Sequence, residues 1–436
     1  MLALLLTLAP ASGGSWISFV GGPRALCRLG DVNGDGLPDF AVGDPGAPLR
    51  DDPALGNPTS IYSGKDGEVL LRVPPPEGAT GFGRSVALWE DLDGDGRRDL
   101  AISACGRFYE GGSKEGSPRE FVYVASTKTG AILGSKASPA LGSRFGFELA
   151  CVGDLDGDGK RELLVGAPGS ASAYVYSGGD LSLLRTLRDE QETAGFGASV
   201  ASAGDLDGDS VDDLFVGALS PSIKGTGAVV ISGKSGKTLF TIEREANSGA
   251  LSSDAKPEPC RFAVSIACAG DLDGDGKPDL LVGADHAGEG PGRLFLYSGK
   301  DLHRIDSLRG TEWAMSRFGA SVTSLGDVDG DGTPDIAASD PDDDYDENGK
   351  GMQAFGSVHA FSGRTRKLLW ITRGQAAHSD LGYCIAPFDD LDGDGAPDLL
   401  VKERNPTGAA AWRCKVLSGR TGRVLLDVPR RDTSPK

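Results

Sequence analysis

Seven times along its 436 residues the chain sets acids at alternating positions, in the pattern D-x-[DN]-x-D-[GS]-x-x-[DE]. The copies read DVNGDGLPD from Asp31, DLDGDGRRD from Asp91, DLDGDGKRE from Asp154 and DLDGDSVDD from Asp205. They continue as DLDGDGKPD from Asp271, DVDGDGTPD from Asp327 and DLDGDGAPD from Asp390. In such a turn the side chains at positions 1, 3, 5 and 9 face one centre, and the carbonyl at position 7 joins them. The candidate ligands are Asp31, Asn33, Asp35, Leu37 and Asp39 in the first loop, and Asp91, Asp93, Asp95, Arg97 and Asp99 in the second. The third offers Asp154, Asp156, Asp158, Lys160 and Glu162, and the fourth Asp205, Asp207, Asp209, Val211 and Asp213. The last three offer Asp271, Asp273, Asp275, Lys277 and Asp279; Asp327, Asp329, Asp331, Thr333 and Asp335; and Asp390, Asp392, Asp394, Ala396 and Asp398. Hard oxygen donors in that number suit Ca2+. Carboxylates so close repel one another unless a cation lies between them. Up to seven calcium ions are expected.

The loops are not equal. Asn33 leaves the first one charge short, Glu162 puts a longer acid at position 9 of the third, and Ser210 stands in the fourth where the sharp turn asks for glycine. An EF-hand begins in the same way but needs a bidentate Glu at position 12, entering a helix. Here position 12 is Val42, Ile102, Val165, Val216, Val282, Ala338 or Val401, all apolar and in strand-like runs, so the EF-hand fails in every copy.

The elements that hold the loops repeat with them. Steps between loops are 60, 63, 51, 66, 56 and 63 residues. Each loop is preceded by a segment such as GFGRSVA at Gly81, RFGFELA at Arg144 or GFGASVA at Gly195; the first unit has only the degenerate PRALCRL from Pro23. Each is followed by a short apolar strand, for example Leu163-Leu164-Val165, and then by a pair of strands around an S-G-x-x-G hairpin signal, as in IYSGKDGEVLL at Ile61. Glycine is 66 of the residues, roughly twice the usual share, which disfavours long helices and suits many turns. Four short antiparallel strands repeated seven times predict an all-β fold, a seven-bladed β-propeller.

Phe-Gly before the loop and Gly-Ala-Pro after it, as in Phe145-Gly146 and Gly166-Ala167-Pro168, resemble FG-GAP repeats, which build the seven-bladed head of integrin α chains. The resemblance covers nearly the whole chain after its first residues. Only one unit has an intact Gly-Ala-Pro, and the last reads Val401-Lys402-Glu403-Arg404. The resemblance implies the head fold and calcium loops placed in β-hairpins, not integrin signalling. It also implies that ligands meet the face opposite the calcium loops, formed by the connections from strand 2 to 3 and from strand 4 to 1. The longest of these are Asp44–Thr59, Cys105–Glu120, Arg244–Cys260 and Asp340–Phe355, with Phe108, Tyr109, Trp313 and Tyr345 as candidate contact aromatics. The acidic run Asp340–Glu347 reads as a solvated loop.

Expected boundaries are a secretory signal peptide over 1–11, ending Ala9-Pro10-Ala11, and an N-terminal segment over 12–22. The propeller follows over 23–429 and a polar tail over 430–436. The last unit carries its own fourth strand, Arg423–Val428, so Trp16–Val20 is left either to add an outer, ring-closing strand at the seam or to lie across it. Net charge is −19, from 63 acids against 44 bases, which argues against nucleic acid and acidic membrane surfaces. Of the acids, 27 stand at ligand positions, so seven divalent ions would bring the charge to −5. No apolar run is long enough to span a bilayer. Seven cysteines without a C-x-x-C give no zinc site and read as buried thiols.

Catalytic signatures are missing: there is no HExxH and no GxSxG, and the four histidines, His286, His303, His359 and His378, form no recognisable pair. The expected function is that of an exported or cell-surface, monomeric calcium-binding module for a protein or glycan ligand, with no catalytic residues. The alternative is a secreted calcium-dependent polysaccharide hydrolase or lyase with its site at the axial mouth of the propeller.

Overall fold

The computed structural model describes residues 25–45, 57–106, 120–189, 193–219, 225–244, 261–285, 292–310, 316–343, 354–404 and 412–428. They form 28 strands. Blade 1 is β1 (Leu26–Gly30), β2 (Asp39–Val42), β3 (Thr59–Tyr62) and β4 (Val69–Val73). Blade 2 is β5 (Phe82–Leu88), β6 (Leu100–Ala104), β7 (Phe121–Ala125) and β8 (Ile132–Ala137). Blade 3 is β9 (Leu149–Cys151), β10 (Leu163–Ala167), β11 (Ser172–Tyr176) and β12 (Leu183–Leu187). Blade 4 is β13 (Phe196–Gly204), β14 (Asp213–Ala218), β15 (Thr226–Ile231) and β16 (Thr238–Glu243). Blade 5 is β17 (Phe262–Gly270), β18 (Asp279–Ala284), β19 (Arg293–Tyr297) and β20 (Arg304–Arg309). Blade 6 is β21 (Val322–Gly326), β22 (Asp335–Asp340), β23 (Ser357–Phe361) and β24 (Leu368–Arg373). Blade 7 is β25 (Cys384–Phe388), β26 (Asp398–Arg404), β27 (Trp412–Leu417) and β28 (Val424–Val428).

Every blade is an antiparallel meander of consecutive strands. The inner strands β1, β5, β9, β13, β17, β21 and β25 abut in turn, and β25 returns to β1. The ring is the seven-bladed propeller that the repeats predict. Among the described residues there is no α-helix, and no helix is long and apolar enough to cross a membrane. The residues expected to form a leader (1–11), an N-terminal segment (12–22) and a tail (430–436) lie outside the described residues, as do Phe108, Tyr109, Trp313, Tyr345, Cys260 and His286.

The sequence pattern explains the layering. Second strands such as β10 are apolar throughout and buried along their whole length. Outer strands such as β4 alternate between exposed and more buried residues. Phe82, Phe145, Phe196, Phe262 and Phe318, the aromatics of the Phe-Gly motif, are fully buried. Each wedges between its own blade and the one before; Phe82 meets Tyr123 edge-on at 5.9 Å, within a core shared with Ala41 and Ile61 of blade 1.

The paired glycines set the spacing between blades. A Cβ on Gly43, Gly166 or Gly283 would stand 2.1, 2.2 or 2.1 Å from the carbonyl oxygen of Gly83, Gly197 or Gly319 in the next blade. Those partners sit at φ +80°, +88° and +86°, which L side chains rarely adopt. Blades 2 and 6 have Ser103 and Ser339 at this place, and blade 7 has Lys402, which the seam uses. Its ammonium crosses to blade 1 and donates to the Gly43 carbonyl at 2.7 Å, and it lies 5.0 Å from the Trp412 ring centre. Below it, Phe40 meets Phe388 edge-on at 5.8 Å, and Arg28 pairs with Asp389 at 2.8 Å. Blades 1 and 7 thus join through side chains, each keeping its own four strands.

Candidate metal centres

Each acidic loop joins the first and second strands of its blade, on the same edge as the hairpin between the third and fourth. The position 1 carboxylate folds the turn. In blade 2, Asp91 accepts from the Gly94 amide at 2.7 Å and the Gly96 amide at 2.8 Å, one on each oxygen. All seven loops repeat this pair of bonds. Ser210 keeps it, donating to Asp205 at 3.0 Å, but at φ +68°, where a side chain costs about 1 kcal/mol. Asn33 also keeps the turn, accepting from the Asp35 amide at 2.8 Å. The position 5 carboxylate accepts from the position 7 amide in every loop, which fixes the peptide between positions 6 and 7, just ahead of the position 7 carbonyl.

Position 9 opens the second strand, or in blades 2 and 3 immediately precedes it, and is fully buried in all seven blades. One oxygen accepts from the position 2 amide, for example Leu272 to Asp279 at 2.7 Å. In blades 1, 4, 5, 6 and 7 the other oxygen accepts from a hairpin glycine, Gly64, Gly233, Gly299, Gly363 or Gly419. In the sequence those glycines read only as turn formers. Their recurrence in step with the loops was the available signal.

Ligand atoms of positions 1, 3 and 9 lie within 4.8 Å of one another in blades 2, 4, 5 and 6. In blade 3 all four carboxylates, Asp154, Asp156, Asp158 and Glu162, do so. Burial, with the neighbouring carboxylates adding to it, pushes the position 9 acids up, to about 6 for Asp99, Asp279 and Asp398 and about 7 for Glu162. Two buried oxygens, Asp99 Oδ1 and Glu162 Oε1, have no hydrogen-bond partner. Converging acids with orphaned buried oxygens fit a hard divalent cation.

The opposite face carries a different arrangement. Arg317 donates to Asp285 Oδ2 through Nε and Nη2 at 3.1 and 3.0 Å, and Arg261 lies 3.3 Å from the same oxygen. The acidic run expected to be a solvated loop is partly a core feature. Asp340 is buried and accepts from the Ser316 hydroxyl and, at 2.8 Å, the Arg317 amide; burial pushes it up to about 7. Asp343 is buried 3.7 Å from Arg373. Asp340 closes the start of the Phe-Gly segment of blade 6, so Asp340 and Asp343 face inward, while Asp342 between them stays half-exposed. Cys27, Cys105, Cys151, Cys268, Cys384 and Cys414 are free thiols, and burial pushes Cys27, Cys105 and Cys414 up to about 12.

The described histidines lie apart. His303 sits on a hairpin beside Asp301, and His378 in a connection. His359 is buried in β23, within 2.8 Å of Ser357 Oγ and 5.3 Å of the Phe318 ring centre. Burial first, and the Arg373 charge second, pushes it down to about 3. An unfolded chain takes up a proton on this residue below about pH 6.5, whereas the folded chain does not. Stability is therefore complete above that pH and is lost as the pH falls from there toward 3. Blade 5 has Phe295 at the same register, so His359→Phe is expected to fold. Between pH 6 and 5 the wild type should lose about 1 kcal/mol more than this variant, read from urea midpoints in calcium. Equal losses would show that His359 is protonated in the folded state.

Comparison with known proteins agrees with this geometry. The FG-GAP-like repeat family matches residues 154–216 and 271–338. Integrin alpha-V of Gallus gallus is 33% identical over 208 residues, covering 44% of this chain and 20% of that protein. Integrin alpha-5 of Xenopus laevis is 35% identical over 208 residues, 44% of this chain and 19% of the relative. Integrin alpha-7 of Homo sapiens is 29% identical over 318 residues, 71% of this chain and 23% of the relative. The matched part of the chain thus spans only about a fifth of the length of these curated relatives.

Proposed function

The chain is an integrin-alpha-like FG-GAP repeat protein, and from that premise we propose that it is an exported, adhesion-type binding module held rigid by calcium. One observation carries the calcium part: loops of one geometry each gather exposed and half-buried acids around one buried acid, and two of the buried oxygens lack any partner. The ligands are the side chains at positions 1, 3, 5 and 9, all acids but Asn33, and the carbonyl at position 7. Bound calcium supplies the positive charge that these acids lack. The chain's own work is to hold the acids in place: position 1 folds the turn, position 5 holds the position 7 amide, and position 9 ties the loop to its strand. A blade edge held this way keeps its hairpin against the neighbouring blade.

Ligands, a protein or a glycan, then meet the opposite face of the monomer. The acids described there are held in ion pairs and backbone bonds, as with Asp285 between two guanidinium groups, which supports recognition over acid–base chemistry. Labelled, calcium-loaded protein should be captured by particular glycans or extracellular proteins on an array and released by chelator. Release of new reducing ends or unsaturated sugars from a polysaccharide panel would instead favour a hydrolase or lyase.

A further inference from the structure

The seven centres divide at position 9, where the hairpin either supplies a hydrogen bond or does not. In five blades a hairpin glycine reaches in so tightly that a Cβ on Gly64, Gly233, Gly299, Gly363 or Gly419 would stand 1.7 to 1.9 Å from the position 8 carbonyl oxygen. Only at that distance does its amide reach the second carboxylate oxygen. Blade 2 has Thr127 at this place, and its Cβ keeps the hairpin back; its hydroxyl donates to the Arg98 carbonyl at 2.7 Å instead. In blade 3 the hairpin glycine, Gly178, stands further off, at 2.4 Å by the same measure, and the acid is the longer Glu162. The outcome in both blades is a fully buried carboxylate with one oxygen bonded by a position 2 amide and the other, Asp99 Oδ1 or Glu162 Oε1, with no donor.

We propose that the loops of blades 2 and 3 are the high-affinity calcium centres of this propeller, holding the ion through both oxygens of Asp99 and of Glu162, and that the other five form a weaker class. The inference rests on the calcium reading above. A buried acceptor without a partner destabilises the ion-free state, and an ion that fills it recovers that loss, which corresponds to about five- to a hundredfold in affinity. Bidentate carboxylates are common calcium ligands. Blade 3 adds its fourth carboxylate, Asp158, to the cluster, so its centre is the tighter of the two. The longer acid at Glu162 thus strengthens the site it was expected only to alter.

Calcium titration of the full chain against a chromophoric chelator tests this. Two ions are expected to bind at least about fivefold more tightly than the rest. Glu162→Gln and Asp99→Asn should each remove one tight ion. Thr127→Gly touches no ligand but lets the hairpin amide reach Asp99; it should move one tight ion into the weak class without changing the total. Melting in millimolar calcium checks that each variant is folded. Seven equivalent ions, or a tight class unchanged by all three variants, would overturn the inference and leave the calcium reading standing. No bound calcium would overturn both.

Discussion

Excess chelator is expected to lower the melting temperature of this protein by more than about 15 °C. At a calcium concentration a hundredfold above Kd, each site contributes about 2.7 kcal/mol to the folded state by mass action. Several such sites in one cooperative ring outweigh the few kcal/mol by which most domains are stable. The structure says where the loss would fall. Without the ion, each rim keeps three or four acids facing one another, and the buried position 9 acid is tied to its own hairpin in only five blades. Calorimetry with and without chelator, alongside metal analysis, measures the effect. A shift of less than about 2 °C with no bound metal would make the acids a solvating coat and leave only the propeller.

The second large effect is a single methyl group. Gly283→Ala is expected to destabilise the protein by about 3 kcal/mol or more, because its Cβ would meet the Gly319 carbonyl at 2.1 Å and Ser265 Oγ at 2.4 Å. The Gly319 carbonyl is backbone and cannot yield without moving blade 6 away from blade 5, and turning the Ser265 hydroxyl aside would cost its bond to that carbonyl. The informative contrast is Gly274→Ala in the acidic loop of the same blade. Nothing lies within 4 Å of that added Cβ, so only the left-handed φ of +81° is penalised, at about 1 kcal/mol. Chemical denaturation of both variants in calcium compares them. Equal losses would mean that the blades are not limited by glycine contact.

Much of this molecule is legible in one dimension. The alternating acids, the glycines that turn them and the apolar run after each loop are local patterns. Seven copies of a unit too small to bury its own faces can satisfy them only by stacking in a ring. That is why the blade count, the strands and the loops follow from the residues alone, even though the first unit begins with a degenerate segment.

Other features need residues far apart in sequence to meet, and no local pattern reports them. The fate of Asp99 depends on Thr127, 28 positions later, because backbone approach across a hairpin is set by a Cβ that the loop itself does not contain. Asp340 and Asp343 read as part of a soluble acidic run, yet Asp340 meets the Ser316–Arg317 segment and Asp343 lies beside Arg373, so both are buried. Lys402 reads as damage to a Gly-Ala-Pro motif. Only the closed ring, which brings the last blade against the first, gives its ammonium the Gly43 carbonyl to hold.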